Sequence, residues 1–406
     1  MLEHPVFLIT LGLILLYGFL SKRLEASMLT APMVFVTAGV ALYFFLPSEV
    51  RTNIEAPWVK LVAELTLILV LFVDSSTLDL RELAKHRQLP VRLLLIGLPL
   101  TMIAGILLAV PLFPGENIWL IALMALILSP TDAALGLAVV TSERVPMKIR
   151  QTINVESGLN DGFALPPILV CLAVLSGTEH STDGFSYWAL FTVKQFVFGP
   201  LIGGAVGWIG GALVERTSQK GWMNETFQRL ASLSIAVLAY AGAEALQGNG
   251  FIAAYFSGMM LGTKTHIFRE RIHGFGESLS QVMVLLIFLV TGLIIVPIAY
   301  LYWDLNTWIY ALLSLTVIRM IPVALSLIGT GLDRKTVTFI GWFGPRGIAS
   351  VLYLLMAVIQ LKLAGHERLF AVIALTVLLS IFLHGMTAVP FSKLFSSPEP
   401  ATASKE

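Results

Sequence analysis

An all-α polytopic membrane protein is the fold class that this 406-residue chain predicts, on three observations. Hydrophobic residues make up 57% of it and charged residues only 13%, about half the share of an average soluble domain. Apolar stretches long enough to cross a bilayer recur along the chain, and the mean hydropathy is +0.85. Finally, the basic residues gather in every second connection between those stretches. A single cysteine, Cys171, lies inside an apolar run, so neither a disulfide framework within one chain nor a cysteine-based metal site is expected.

Taken in order, the apolar runs predict about thirteen transmembrane helices. They cover residues 5–20, 27–46, 57–73, 91–113, 117–141, 150–175, 186–214, 227–247, 249–262, 279–302, 306–328, 336–361 and 368–390. The first has no basic residue ahead of it and no small-residue cleavage site behind it, which favours a span over a signal peptide. The eighth and ninth are separated only by Gly248 and form the least regular pair.

Charge supports this order independently. Connections after odd-numbered spans carry Lys22 and Arg23; Arg81, Lys85, Arg87 and Arg92; Arg144, Lys148 and Arg150; Arg216, Lys220 and Arg229; Lys264, Arg269 and Arg271; and Arg334 and Lys335. Those after even-numbered spans hold Arg51, Lys362 and Arg368. Positive residues favour the cytoplasmic side, which predicts an outside N-terminus and a cytoplasmic C-terminus. The connections are short and no phosphate-binding loop of the G-x-x-x-x-G-K-[ST] type occurs, so ATP-driven work by this chain is not expected.

The sixth span contains V-E-S-G-L-N-D-G-F-A-L-P at residues 155–166. Glu156 and Asn160 are four residues apart, as are Ser157 and Asp161, so a helix stacks each pair on one face. An ionisable group at bilayer depth costs roughly 2.5–3.5 kcal/mol on insertion scales, and such groups mark ion pathways or structural ion pairs. In the fifth span, L-S-P-T-D predicts a helix that breaks near Leu128 and restarts with Ser129 as N-cap, Pro130 in first helical position and Asp132 at the third. In the twelfth, G-W-F-G-P-R-G predicts a second break, with Arg346 needing a carboxylate or backbone carbonyls; Glu156 is the candidate partner. The two broken spans are seven apart and therefore oppositely oriented, the pattern of an inverted-repeat transporter with discontinuous crossing helices.

With S-P-T-D, E-S-G-L-N-D-G and G-W-F-G-P-R-G in place, the chain resembles the NhaP/NHE-type cation/proton antiporters. The L-F-V-D-S-S stretch at residues 71–76 and the G-N-G-F-I-A-A-Y-F-S-G run at 248–258 resemble that family as well. The resemblance implies a transmembrane antiporter domain over residues 1–390 and a short cytoplasmic tail over 391–406. It implies a dimerisation half and a six-helix core, the core including about 91–175 and 306–390, in a homodimer. It assigns Na⁺ or H⁺ binding to Asp161, with Thr131, Asp132 and Ser157 contributing, and associates Asn160 with electroneutral one-for-one exchange. Glu156 and Arg346 take the place of a structural ion pair, and Asp74 lies near the ion path. Ala133 stands where the family usually has proline, and Phe163 where a small hydroxyl residue is common.

The resemblance implies no cofactor, no nucleic-acid partner and no enzymatic activity; the partners are membrane lipid, monovalent cations and protons. A prokaryotic inner membrane is the expected location. Na⁺ is the expected cation and Li⁺ a second one; a K⁺/H⁺ antiporter of the same fold and an ion channel are the alternatives. Other charged residues in the spans read as structural. Lys60 and Glu64 pair at i,i+4, Lys194 and Glu244 lie near span ends, and Arg319 takes a backbone or carboxylate partner. His384 reads as a helix-packing residue.

Overall fold

A computed structural model describes residues 5–25, 27–45, 57–77, 88–132, 144–176, 185–264, 266–362 and 364–395, with Leu135, Val139 and Ser142. All described secondary structure is helical. The helices are α1 (Pro5–Glu25), α2 (Ala31–Phe45), α3 (Pro57–Thr77), α4 (Gln88–Leu112), α5 (Ile118–Ile127), α6 (Met147–Leu175), α7 (Phe185–Gln219) and α8 (Glu225–Ala245). They continue with α9 (Gly250–Lys264), α10 (His266–Val290), α11 (Leu305–Leu315), α12 (Val317–Ser326), α13 (Arg334–Trp342), α14 (Ile348–Leu361) and α15 (Glu367–Ser392). Described helices lie within each of the expected spans, and most of the second half of the fifth span, after Asp132, lies outside the described residues. Among the described residues, six helical stretches are long and apolar enough to cross a membrane, and α2, α5, α14 and the apolar part of α9 are shorter apolar helices.

Local chemistry sets several boundaries. Asn117 starts α5, Asn224 starts α8 and Asp304 starts α11, each accepting a backbone N–H of the first turn through its side chain. The eleventh span, expected to be continuous, is interrupted at Thr316, whose backbone leaves the helical region and separates α11 from α12. Beyond α10 the chain passes through a π turn, Thr291–Ile295, which packs on α2.

Helix pairs then close by surface shape. On α7, Gly199, Gly203, Gly207 and Gly211 recur every four residues and meet Ile252, Ala253, Ser257 and Leu261 of α9. A methyl group on Gly203 or Gly207 would overlap the α9 backbone, so the close approach of these two helices depends on bare glycine. α9 also packs on α3 and α8, and α3 on α10 and α14. Elsewhere α4 packs on α5 and α12, α5 on α6, and α15 on α11 and α14.

Both expected breaks are present. α5 stops at Ile127 and residues 129–132 are not helical; in the twelfth span residues 343–347 separate α13 from α14. The restart expected around Ser129 is different in kind, however. The Ser129 hydroxyl donates back to the Ala125 carbonyl at 2.7 Å, so it closes α5 instead of capping a new helix. Residues 130–132 are themselves non-helical, and most of the residues on which the expected second half-helix would lie are outside the described ones. Ala133, one of the departures from the family pattern, lies outside the described residues, as do residues 396–406 of the tail.

Candidate functional site

The two breaks meet, and their contact organises the site. The Asp132 amide donates to the Pro345 carbonyl at 2.8 Å, and the Asp132 carboxylate accepts the Ile348 N–H at 2.8 Å. Asp132 therefore serves the positive end of α14, on the other broken span. Gly347 makes this possible, since a Cβ there would overlap the Asp132 carboxylate. Ser350 ties the same helix to α5 by donating to the Ile127 carbonyl at 2.7 Å.

α6 lies against this crossing. Asn160 donates through Nδ2 to Thr131 Oγ1 at 2.6 Å, and Thr131 and Ser157 share a hydroxyl–hydroxyl bond of 3.0 Å. Thr131, Ser157 and Asn160 are all buried, and the extended stretch of the fifth span is held to α6 through them. One turn on, Asp161 is 6% exposed and its Oδ1 has no hydrogen-bond partner. Its backbone carbonyl accepts the Tyr353 hydroxyl at 3.0 Å, fixing this part of α6 to α14.

These side chains surround a polar cavity of about 140 Å³. Asp161, Asp132, Thr131 and Ser157 line it together, and Asp74 of α3 joins them. Asn160 acts behind the wall through Thr131 and is not among the lining residues. Sequence reasoning missed Glu277, Ser280 and Gln281 of α10 and Asn154 of α6, which also line the cavity. Glu277 precedes the tenth apolar run, where a carboxylate reads as an ordinary end-of-span charge; the nearness of α10 to α3 gives it its place. The result is a carboxylate-rich cavity with hydroxyl and amide oxygens, a donor set suited to a hard monovalent cation or a proton and unsuited to a soft metal.

The buried ion pair differs from the expected one. Glu156 pairs with Arg319 of α12, Oε1 lying 2.7 Å from Nη1 and Oε2 accepting Nη2 at 2.8 Å. Both side chains are 1% exposed. Arg346 is buried too, but its Nη1 turns back to the Gly344 carbonyl at 3.1 Å, and its amide donates to Ser380 Oγ at 2.6 Å. The non-helical backbone around Arg346 lets the side chain curl onto the carbonyl two residues earlier. α12 instead presents Arg319 squarely to both oxygens of Glu156, which is the better geometry for a carboxylate. Arg319 also rests on Gly344, where a Cβ would sit 2.8 Å from its guanidinium carbon. The pair thus joins α6, α12 and the break in the twelfth span.

The remaining polar residues have local tasks. His384 packs on the Trp342 ring at 4.9 Å and hydrogen-bonds Ser380. Glu244 accepts the Gly250 N–H at 2.8 Å at the start of α9, Lys194 reaches Gln247, and Lys60 lies 3.7 Å from Glu64. Phe163, the other departure from the family pattern, is 48% exposed on α6 and faces away from the polar cavity.

Residues 6–394 match the family model described as "Sodium/hydrogen exchanger, transmembrane". The "K(+)/H(+) antiporter NhaP" of Alkalimonas amylolytica is 29% identical over 279 residues, which are 67% of this chain and 46% of that protein. "Na(+)/H(+) antiporter 2" of Zygosaccharomyces rouxii is 28% identical over 321 residues, 74% of this chain and 39% of that one. The chain thus spans about half the length, or less, of these curated relatives. The solved structure of the sodium proton antiporter MjNhaP1 from Methanocaldococcus jannaschii at pH 8 has the same fold. It superimposes with a TM-score of 0.78 at 20% identity, covering 97% of this chain and 100% of that one.

Proposed function

The chain belongs to the transmembrane sodium/hydrogen exchanger family, and from that premise we propose that it exchanges a monovalent cation for H⁺ across a membrane, with Asp161 as the carrier. The observation that carries this reading is the Asp161 carboxylate. It is buried mid-span beside Thr131 and Ser157, lines a polar cavity, and has an oxygen with no protein partner. One carboxylate holds either a proton or a cation in such a place, so the two compete. The core then moves only when that charge is neutralised, because carrying a bare carboxylate through the apolar barrier is costly. Competition plus that restriction yields exchange without a further coupling device.

In this reading Thr131 and Ser157 supply neutral oxygens to the cation, Asp132 holds the crossing of the two breaks together, and Asn160 fixes Thr131. Asp74 and Glu277 lie on the approach. A neutral Asn160 leaves Asp161 the single carrier on its helix, which supports one-for-one, electroneutral exchange. Na⁺, with Li⁺ beside it, is the proposed cation. K⁺ is the second reading, favoured by the name of the Alkalimonas relative. The protein acts as a homodimer in a prokaryotic inner membrane, its core including about 91–175 and 306–390, with the basic connections and C-terminus cytoplasmic.

Purified protein in proteoliposomes tests this. Imposed gradients of Na⁺, Li⁺ or K⁺ drive proton movement in the wild type, and the ion giving the strongest response identifies the substrate. Asp161→Asn abolishes the response to every cation while the protein remains folded; cation-dependent proton movement by that variant would reject Asp161 as carrier. An unchanged rate under a clamped membrane potential of either sign identifies electroneutral exchange.

A further inference from the structure

The polar cavity ends abruptly, between two consecutive residues of α6. Asn154, Ser157, Gly158 and Asp161 line it, whereas Gly162, Phe163, Pro166, Pro167, Val170 and Cys171 line a second cavity of about 810 Å³. The fifth span makes the same handover in reverse, with Trp119, Ala122 and Leu126 of α5 on the second cavity and Thr131 and Asp132 beyond its end on the first. The two cavities therefore meet at Asp161 and Gly162, the second extending from there along and around α6. The second is almost wholly apolar and opens at the surface, where its lining residues Ile103, Trp119 and Phe163 are exposed.

One side chain from outside the α4–α6 group stands at the junction. Tyr255 of α9 lines the apolar cavity, is 3% exposed, and lays its ring on Gly162. A methyl group on Gly162 would lie 2.8 Å from Tyr255 Cζ and Cε2 and 2.9 Å from Cε1. The Tyr255 hydroxyl is buried with no hydrogen-bond partner, so its position is set by ring packing and not by a polar anchor. Such an atom invites an explanation, and a ring that leaves this seat during the working cycle supplies one.

We infer that the Tyr255 ring seated on Gly162 is the partition between the polar and apolar cavities, and that it must leave Gly162 for Asp161 to face the opposite side of the membrane. An aromatic ring on bare backbone, beside an apolar groove, blocks a hydrated monovalent cation sterically and offers it no oxygen in place of its water. Glycine directly after the carrier lets the ring close against backbone with no side chain between. Tyr255 is in this sense a positioning residue, not a ligand. The inference builds on Asp161 as carrier, but its test does not depend on transport.

Cys171, the chain's single cysteine, is the reporter, because it lies on the far side of the partition. By the helical rise it is roughly 15 Å along α6 from Asp161. The experiment treats oriented membrane vesicles containing the full chain with a membrane-impermeant, cationic methanethiosulfonate reagent, applied from the face on which Glu277 lies. In the wild type Cys171 reacts slowly from that face. In Tyr255→Ala its modification rate rises severalfold, in Gly162→Ala it rises by a smaller factor because the ring is pushed off its seat, and Tyr255→Phe keeps wild-type protection. Thermal melting of each purified variant separates loss of the partition from loss of the fold. If neither Tyr255→Ala nor Gly162→Ala increases the rate in folded protein, or if Tyr255→Phe reacts as fast as Tyr255→Ala, the partition is not the ring. An Asp161→Asn variant that still exchanges ions, together with the expected labelling pattern, would remove the carrier assignment and leave the partition standing.

Discussion

Glu156 and Asp161 lie five residues apart on α6 and both are buried, yet their surroundings separate their roles. Glu156 has both oxygens on Arg319, while Asp161 keeps one oxygen without a partner beside a cavity. Removing one member of a buried ion pair leaves the other charge uncompensated, so Glu156→Gln is expected to cost about 3–5 kcal/mol, read as a lower melting temperature in detergent. A double-mutant cycle checks the pairing. Glu156→Gln with Arg319→Gln gives a large coupling energy, and Glu156→Gln with Arg346→Gln a smaller one. The opposite order would restore Arg346 as the partner.

Individual helices depend on a few carboxylates in special positions. Asp132 serves α14 across the two breaks, so Asp132→Ala costs about 1 kcal/mol through the lost cap, while Asp132→Asn keeps an oxygen for the Ile348 N–H and melts near the wild type. Equal melting of the two variants would show that α14 does not need this cap. Asp304 does the same for α11 outside the membrane, and also meets Arg368 at 2.6 Å. Partial burial opposes its ionisation, but the Thr307 amide and hydroxyl and the Arg368 guanidinium outweigh it and hold the carboxyl below its usual range. Its contribution is therefore present above the ordinary carboxylate range and is lost as pH falls through the lowered value. Asp304→Ala should lower stability by about 1 kcal/mol at neutral pH, and the difference from wild type should shrink on acidification. A difference that persists in acid would mean that the loss comes from packing and not from the charge.

For the whole molecule, the crossing of the breaks and the glycine stripe of α7 have different mechanical consequences. At the stripe, backbones meet with no side chain between them, a contact that resists sliding. Gly207→Val should force α7 and α9 apart and cost about 1–3 kcal/mol, the usual penalty of overpacking, seen as a lower melting temperature. Melting unchanged from wild type would mean that the two helices have room to separate. At the junction of the cavities only a ring touches backbone, and that contact can part.

Much of this was legible in the sequence. A chain this apolar must satisfy its backbone inside helices, so the helical fold, the order of the segments and both breaks follow from composition, spacing and Gly-Pro chemistry. So did Asp132 and Asp161 at the cavity, because a costly carboxylate in an apolar span stands out on its own. The tertiary structure alone decided the partners. Ser129 reads as a cap because capping is inferred from neighbours in the chain, whereas its hydroxyl bonds backwards and Asp132 caps a helix more than two hundred residues away. Arg346 reads as the partner of Glu156 because both lie in unusual motifs, while Arg319, in an ordinary apolar run, holds the better geometry. Glu277 and Tyr255 carry no motif at all and enter the site through the packing of α10 and α9. Sequence determines which groups cannot be left alone in a membrane; which group answers each of them depends on distances that only folding creates.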